Sequence, residues 1–224
     1  MAISGVHDIC VFIKNQIMLG NYTEEERISE RAICDLFGVS RTIVREALFN
    51  LKKEGWIYAE SKSGTYVKPL DNTVIHDNYE ARLLLEPMIL MMAFPALSTA
   101  DIEELKTNCN RMESAVTNAE YSFAENDQHK ILHRYIDNMY LRNLMESMMD
   151  TMTRIGSKCG KTKQRQQECT KEWRSIIASL EANDPYTASQ KFLKHIQNSY
   201  DVFVKVNGNP EKTDNYVSKE NERL

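Results

Sequence analysis

The chain has 224 residues, 42% hydrophobic and 27% charged, with a formal net charge of -4. That make-up suits a soluble chain of two small domains, and no apolar run is long enough to cross a bilayer. Five cysteines, odd in number and never spaced Cys-x-x-Cys, fit reduced thiols rather than disulfides or a zinc cluster. The first residues lack the basic front and clean apolar centre of a signal peptide, so a cytoplasmic location is expected.

Apolar residues at Ile9, Phe12, Ile13 and Ile17 repeat with a helical period and stop at Gly20. A second helix is predicted from the cap Ser29 through Ile33 and Phe37 to Gly38, which can take the left-handed conformation that ends a helix. Ser40 then caps a third helix whose apolar side is Val44, Ala47, Leu48 and Leu51, ending at Gly55. Its other side is left to Arg41, Thr42, Arg45 and Lys52. Two β-prone runs, Trp56 to Ala59 and Thr65 to Lys68, flank Ser61-Lys62-Ser63-Gly64 and read as a hairpin with a basic tip.

From Asp71 onward only helical stripes follow. Ser98 with Asp101 opens a helix carrying Ile102, Leu105, Cys109, Met112 and Val116 on one side. Another stripe is Leu141, Leu144, Met148, Met152 and Ile155; the last helix starts with Asp184 as cap and Pro185 first, and turns Ala188, Phe192, Ile196, Ser199 and Phe203 inward. Pro87 is expected to bend or interrupt the helix that holds it. The fold class is therefore mainly α: a winged helix-turn-helix over residues 1–70, an antiparallel all-α bundle over 71–206, and a polar, disordered tail over 207–224.

Two helices joined by a glycine turn, the second with exposed arginines, present side chains to the major groove, where arginine bonds guanine bidentately. The overall negative charge does not oppose this, because residues 1–70 hold nine Lys/Arg against nine Asp/Glu and the excess acid lies elsewhere. A solvated helix face with incidental arginines is the plainer alternative. The ordered residues favour the first reading: ERAICDLFGVSRTIVREALFNLKKEGWIYAESKSGTYV resembles the GntR family of winged-helix regulators from end to end, with GVSRTIVREAL at its core. The resemblance implies DNA contact from Arg31, Ser40, Arg41, Thr42, Arg45, Lys62, Ser63 and Gly64, and a homodimer on near-palindromic double-stranded operator DNA. Thr23-Glu24-Glu25-Glu26 departs from the family's usual Pro-Gly turn.

Residues from about Tyr79 to Phe203 resemble the helical ligand domain of the FadR subfamily, in its short six-helix form, through YEARLLLEPMILMMA and a final helix bearing His195. Many relatives hold a divalent metal with an Asp, a His four later and two further histidines, and bind a carboxylate effector through it. Here Glu125 and His129 take the first two places, the third reads Glu172-Trp173, and His195 takes the last. Indole is no metal ligand, so Glu125, His129 and His195 are either an open site for zinc, nickel or manganese or its remains, and the second is preferred. The expected effector residues are Arg82, Glu125, His129, Arg154, Trp173 and His195, for a small molecule that is a carboxylate or more apolar and aromatic. His133 offers a substitute imidazole, although a structural role is the simpler reading.

The expected function is a ligand-responsive repressor, released from its operator by the effector. It is not expected to be an enzyme: no phosphate-cradling glycine loop, nucleophile elbow or His-Glu-x-x-His occurs. The alternatives weighed are a metal-dependent helical-bundle enzyme and a DNA-binding dimer without a ligand.

Overall fold

The computed structural model describes residues 5–60, 64–159 and 162–207. Lys62 and Ser63 of the hairpin tip, and the tail beyond Asn207, lie outside the described residues. The N-terminal domain comprises α1 (Val6–Met18), β1 (Arg27–Ile28), α2 (Glu30–Phe37), α3 (Arg41–Lys53), β2 (Ile57–Glu60) and β3 (Gly64–Val67). The C-terminal domain comprises α4 (Asn72–Ala93), a 3-10 turn (Phe94–Ala96), α5 (Thr99–Ser114), α6 (Asn118–His133), α7 (Met139–Cys159), α8 (Lys163–Glu181) and α9 (Pro185–Asn207).

The local signals explain the element ends. The Ser29 hydroxyl accepts from the Ala32 amide to start α2, and Gly38, at φ 66°, ends it. Asp71 accepts from the amides of Thr73 and Val74 and so starts α4 at the domain boundary. Ser98 and Asp101 cap each other's backbone in a reciprocal box at the start of α5. Inside, Ile13, Ile33, Val44, Leu51 and Trp56 form the core of the first domain, and Leu105, Ile131, Trp173, Ile176, Phe192 and Ile196 that of the second. Each such side chain contributes about 1.5–3 kcal/mol on leaving water.

Several expectations are corrected. The three-stranded sheet has the order β1-β3-β2, all antiparallel, and β1 is not among the predicted elements: two residues are too few to show an alternating pattern. α5 ends at Ser114, so Val116 lies beyond the stripe and is 82% exposed. On α7 the inward residue is Met145, and Leu144 is half exposed. α4 runs through Pro87 without interruption; the ring leaves the Leu83 carbonyl without its usual helical donor, and the Ser189 hydroxyl donates to the Pro87 carbonyl at 2.9 Å.

The acidic loop before β1 serves its own backbone. Glu26 accepts from the Thr23 amide and hydroxyl at 2.8 and 3.0 Å, and Glu24 accepts from the Leu70 amide at 3.0 Å. Glu26 thus closes the turn on itself, and Glu24 ties the loop to the end of the N-terminal domain.

α7 joins the two domains. Lys14 bonds Asp150 and pairs with Glu54 at 2.7 Å, and the Trp56 indole donates to Asp150 at 3.3 Å. Arg154 donates to the carbonyls of Gly55 and Lys68 at 3.2 and 2.6 Å.

Candidate functional site

On the N-terminal domain, α3 projects its polar side outward: Arg41, Thr42 and Arg45 are all exposed. Ser40 is exposed at the N-cap and makes no side-chain cap bond, so its hydroxyl remains available beside the helix N-terminus, where backbone amides and the macrodipole favour an anion. Arg45 is held by Glu30 at 3.1 Å, and Arg31 pairs loosely with Asp35 at 3.7 Å. Both pairs are surface pairs that a phosphate or base edge can replace at little cost.

Sequence reasoning missed Arg27. It stands on β1 and lines, with Ser29, Arg31, Arg41, Gly64 and Thr65, a notch of about 370 Å³ at the foot of the wing. Gly64 has φ 133°, and a Cβ there would sit 2.8 Å from the Arg27 Nε, so glycine is what lets the guanidinium cross the wing strand. Three arginines thus border one exposed notch, together with the Glu30 carboxylate.

In the bundle, two matched relays converge on Trp173. In the first, Arg82 Nε donates to Glu86 at 2.8 Å and the other Glu86 oxygen meets His129 Nδ1 at 2.5 Å. In the second, Arg165 forks onto both oxygens of Glu172 at 2.8 Å, and Glu172 meets His195 Nδ1 at 2.7 Å. Burial alone would raise the Glu86 carboxyl, but the neighbouring His129 and Arg82 charges hold it well below the ordinary range. Burial likewise acts against Glu172, and its bonds from His195 and Arg165 bring it down to about 2.

The Trp173 ring is fully buried, 5.1 Å from His129 edge-on and 5.2 Å from both His195 and Phe192. The two imidazoles are 6.0 Å apart, and the indole packs against both of them. The expected set of Glu125, His129 and His195 does not close: the donor atoms that lie within 4.8 Å of one another belong to Glu125, Cys169 and His195. His129 Nε2 and the Trp173 Nε1 have no hydrogen-bond partner among the described residues.

Two expected effector residues are placed otherwise. Arg82 is committed to Glu86 and lies over the Tyr79 ring, so it orients His129. Arg154 sits at the domain junction, where its guanidinium lies over Trp56 and donates to the carbonyls of Gly55 and Lys68. His133 is held neutral by burial, with its imidazole brought down to about 4, and lines a separate cleft of about 560 Å³ between α6 and α7 with Lys130, Arg134, Arg142 and Met145.

A winged helix-turn-helix with an arginine-bearing recognition helix, followed by a helical bundle with a buried polar centre, defines a bacterial transcription regulator. Residues 8–67 match the family described as bacterial regulatory proteins, gntR family, and residues 77–198 match the FCD domain. The chain belongs to the GntR family, in the branch with a C-terminal FCD domain, and is a transcriptional regulator rather than an enzyme. It is 26% identical over 189 residues to the HTH-type transcriptional regulator YdhC of Bacillus subtilis, covering 82% of this chain and 84% of that one. The gluconate operon transcriptional repressor of the same organism is 29% identical over 147 residues, covering 62% and 58%. A GntR transcriptional regulator from Rhodococcus sp. RHA1 has the same fold, with a TM-score of 0.78 at 18% identity over 88% of this chain and 97% of that one. Among the described residues, no helix is long and apolar enough to cross a membrane.

Proposed function

We propose that the protein is a repressor that binds operator DNA as a homodimer and leaves it when a small acidic molecule occupies the bundle. The observation that carries this reading is the convergence of two buried Arg-Glu-His relays on one aromatic centre. Buried charge of this kind contributes little net stability, and sites where it accumulates in a bundle are candidates for ligand chemistry. The relative that represses a gluconate operon supports the sign of the response. Trp173, Phe192 and the two imidazoles favour an effector with an apolar or aromatic body over a polyhydroxylated one.

The second copy is expected to cover an apolar face. Leu84, Met88 and Met92 recur every fourth residue on α4 and are 74%, 61% and 52% exposed, and Leu144 on the neighbouring α7 is 48% exposed. A row of exposed apolar side chains of this kind suits an interaction surface, and a two-fold dimer is what a palindromic operator requires.

The route from effector to DNA runs along α6 and α7. Asn126, next to Glu125, donates to Thr153 at 2.9 Å, and the next residue, Arg154, grips the N-terminal domain. A shift of α6 on ligand binding is thus passed to the domain that carries α3, biasing two arrangements of the dimer. Fluorescence anisotropy on DNA from upstream of the gene, titrated with aromatic and aliphatic carboxylic acids, tests this: one class of acid should weaken binding at least tenfold. Operator binding that no acid changes would leave a ligand-independent DNA-binding dimer in its place.

A further inference from the structure

We infer that the cleft between α6 and α7, outside the polar centre of the bundle, binds an α-amino acid with a large side chain. Its volume of about 560 Å³ lies within the range of ordinary small-molecule pockets. The buried residues Ile136, Met145 and Met149 give it an apolar wall, and flexible methionines adapt to the shape they meet.

Arg142 and Glu146 border the same cleft, exposed and one turn apart on α7. Opposite charges at this spacing commonly pair, yet here they do not. Arg142 turns back and donates to the Ile136 carbonyl at 3.0 and 2.7 Å, and Glu146 forms no ion pair among the described residues. The other charges of the cleft are taken: Lys130 pairs with Asp127 at 3.0 Å, Arg134 with Glu104 at 2.6 Å, and Asp150 accepts from Lys14 and the Trp56 indole.

What remains is one cation and one anion on a single helix face, which suits a ligand that carries both charges close together. The carboxylate of an amino acid accepts from Arg142, its ammonium donates to Glu146, and its side chain lies against the methionines. A simple acid would leave Glu146 opposed, and a simple amine Arg142. His133 lines the cleft as well; burial keeps it neutral, so it does not upset this balance. Its Nε2 is buried without a hydrogen-bond partner among the described residues and can meet a polar atom of the ligand side chain, such as a phenol oxygen. Asp150, one turn beyond Glu146, ties the cleft to the DNA-binding domain through Lys14 and Trp56, so occupation acts at the junction directly. This site is separate from the one proposed for the acidic effector.

The two tryptophans of the chain supply the test, because Trp56 reports on the cleft through Asp150 and Trp173 on the bundle centre. The full chain is labelled with 5-fluorotryptophan, its two fluorine signals are assigned with Trp173→Phe, and the wild type is titrated with L-phenylalanine, L-tyrosine and L-methionine. At least one of the three should shift the Trp56 signal to saturation and leave that of Trp173 in place. The deaminated and decarboxylated analogues of that amino acid should bind about tenfold more weakly, as should the amino acid itself to Glu146→Gln, a surface change that preserves shape. No shift of Trp56 with any of the three, a shift confined to Trp173, a deaminated analogue that binds as tightly, or unchanged binding to Glu146→Gln would overturn the site.

Discussion

The Arg154 guanidinium lies 5.1 Å from the centroid of the Trp56 ring while donating to the carbonyls of Gly55 and Lys68, so one side chain of the bundle holds the domain that carries the recognition helix. Lys14 lies over the same ring at 5.2 Å and bonds Asp150, one turn before Arg154. Replacing Arg154 by Ala removes a cation-aromatic interaction and two charge-assisted hydrogen bonds, and should cost about 2 kcal/mol of stability at the junction. The informative readout is coupling: Arg154→Ala should still bind operator and still bind effector, with the effector's influence on the operator reduced. Full retention of the influence, measured by paired titrations, would show that the signal passes elsewhere.

Arg45 and Arg27 are expected to fail in different ways. Arg45 projects from α3 where it can reach a base edge, and Arg45→Ala should weaken operator binding by about 1–3 kcal/mol and relax sequence preference at one position of each half-site. Arg27 lines the phosphate-sized notch, and Arg27→Ala should weaken operator and random DNA alike and lower the salt slope by about 0.9 for each phosphate that the side chain neutralises. Binding isotherms at several salt concentrations separate the two outcomes. Neither substitution touches a buried group, so melting temperatures should hold.

The parts of this fold that are legible in the sequence are those written in local chemistry. Ser29 with Gly38, Ser98 with Asp101 and Asp184 with Pro185 mark helix ends because capping involves neighbours in the chain. Likewise the inward stripe of α9, Ala188, Phe192 and Ile196, is fully buried as its spacing implies. What depends on distant partners is not legible. Arg154 sits on a helix of the bundle, and nothing in its own stretch says that it faces another domain. Arg27 escapes because a strand of two residues has no period.

The apolar strip on α4 yields a prediction about assembly. Met88→Glu combined with Met92→Glu places charge on side chains that are already exposed, so the monomer should fold as before. Sedimentation velocity should show a dimer for the wild type and a monomer for the double variant, with operator affinity reduced because one half-site is held at a time. A double variant that remains dimeric would move the interface to another surface.

Trp173→His tests whether the indole decides which effector the bundle accepts. The imidazole is smaller and leaves a cavity in a fully buried position, at a cost of about 3 kcal/mol. It also offers a nitrogen donor beside His129 and His195, so the variant should hold divalent metal more tightly and shift its preference toward more polar carboxylates. Unchanged metal content together with unchanged ligand preference would mean that Trp173 is only core.

The most direct test of the central claim is selection of genomic DNA fragments by the purified full chain, with sequencing of what is retained. A two-fold regulator that reads the major groove with α3 should enrich one inverted repeat, and Arg45→Ala should lose that enrichment while still retaining some DNA through its remaining positive charge. Retention of DNA with no common sequence, or a motif unaffected by Arg45→Ala, would contradict the account.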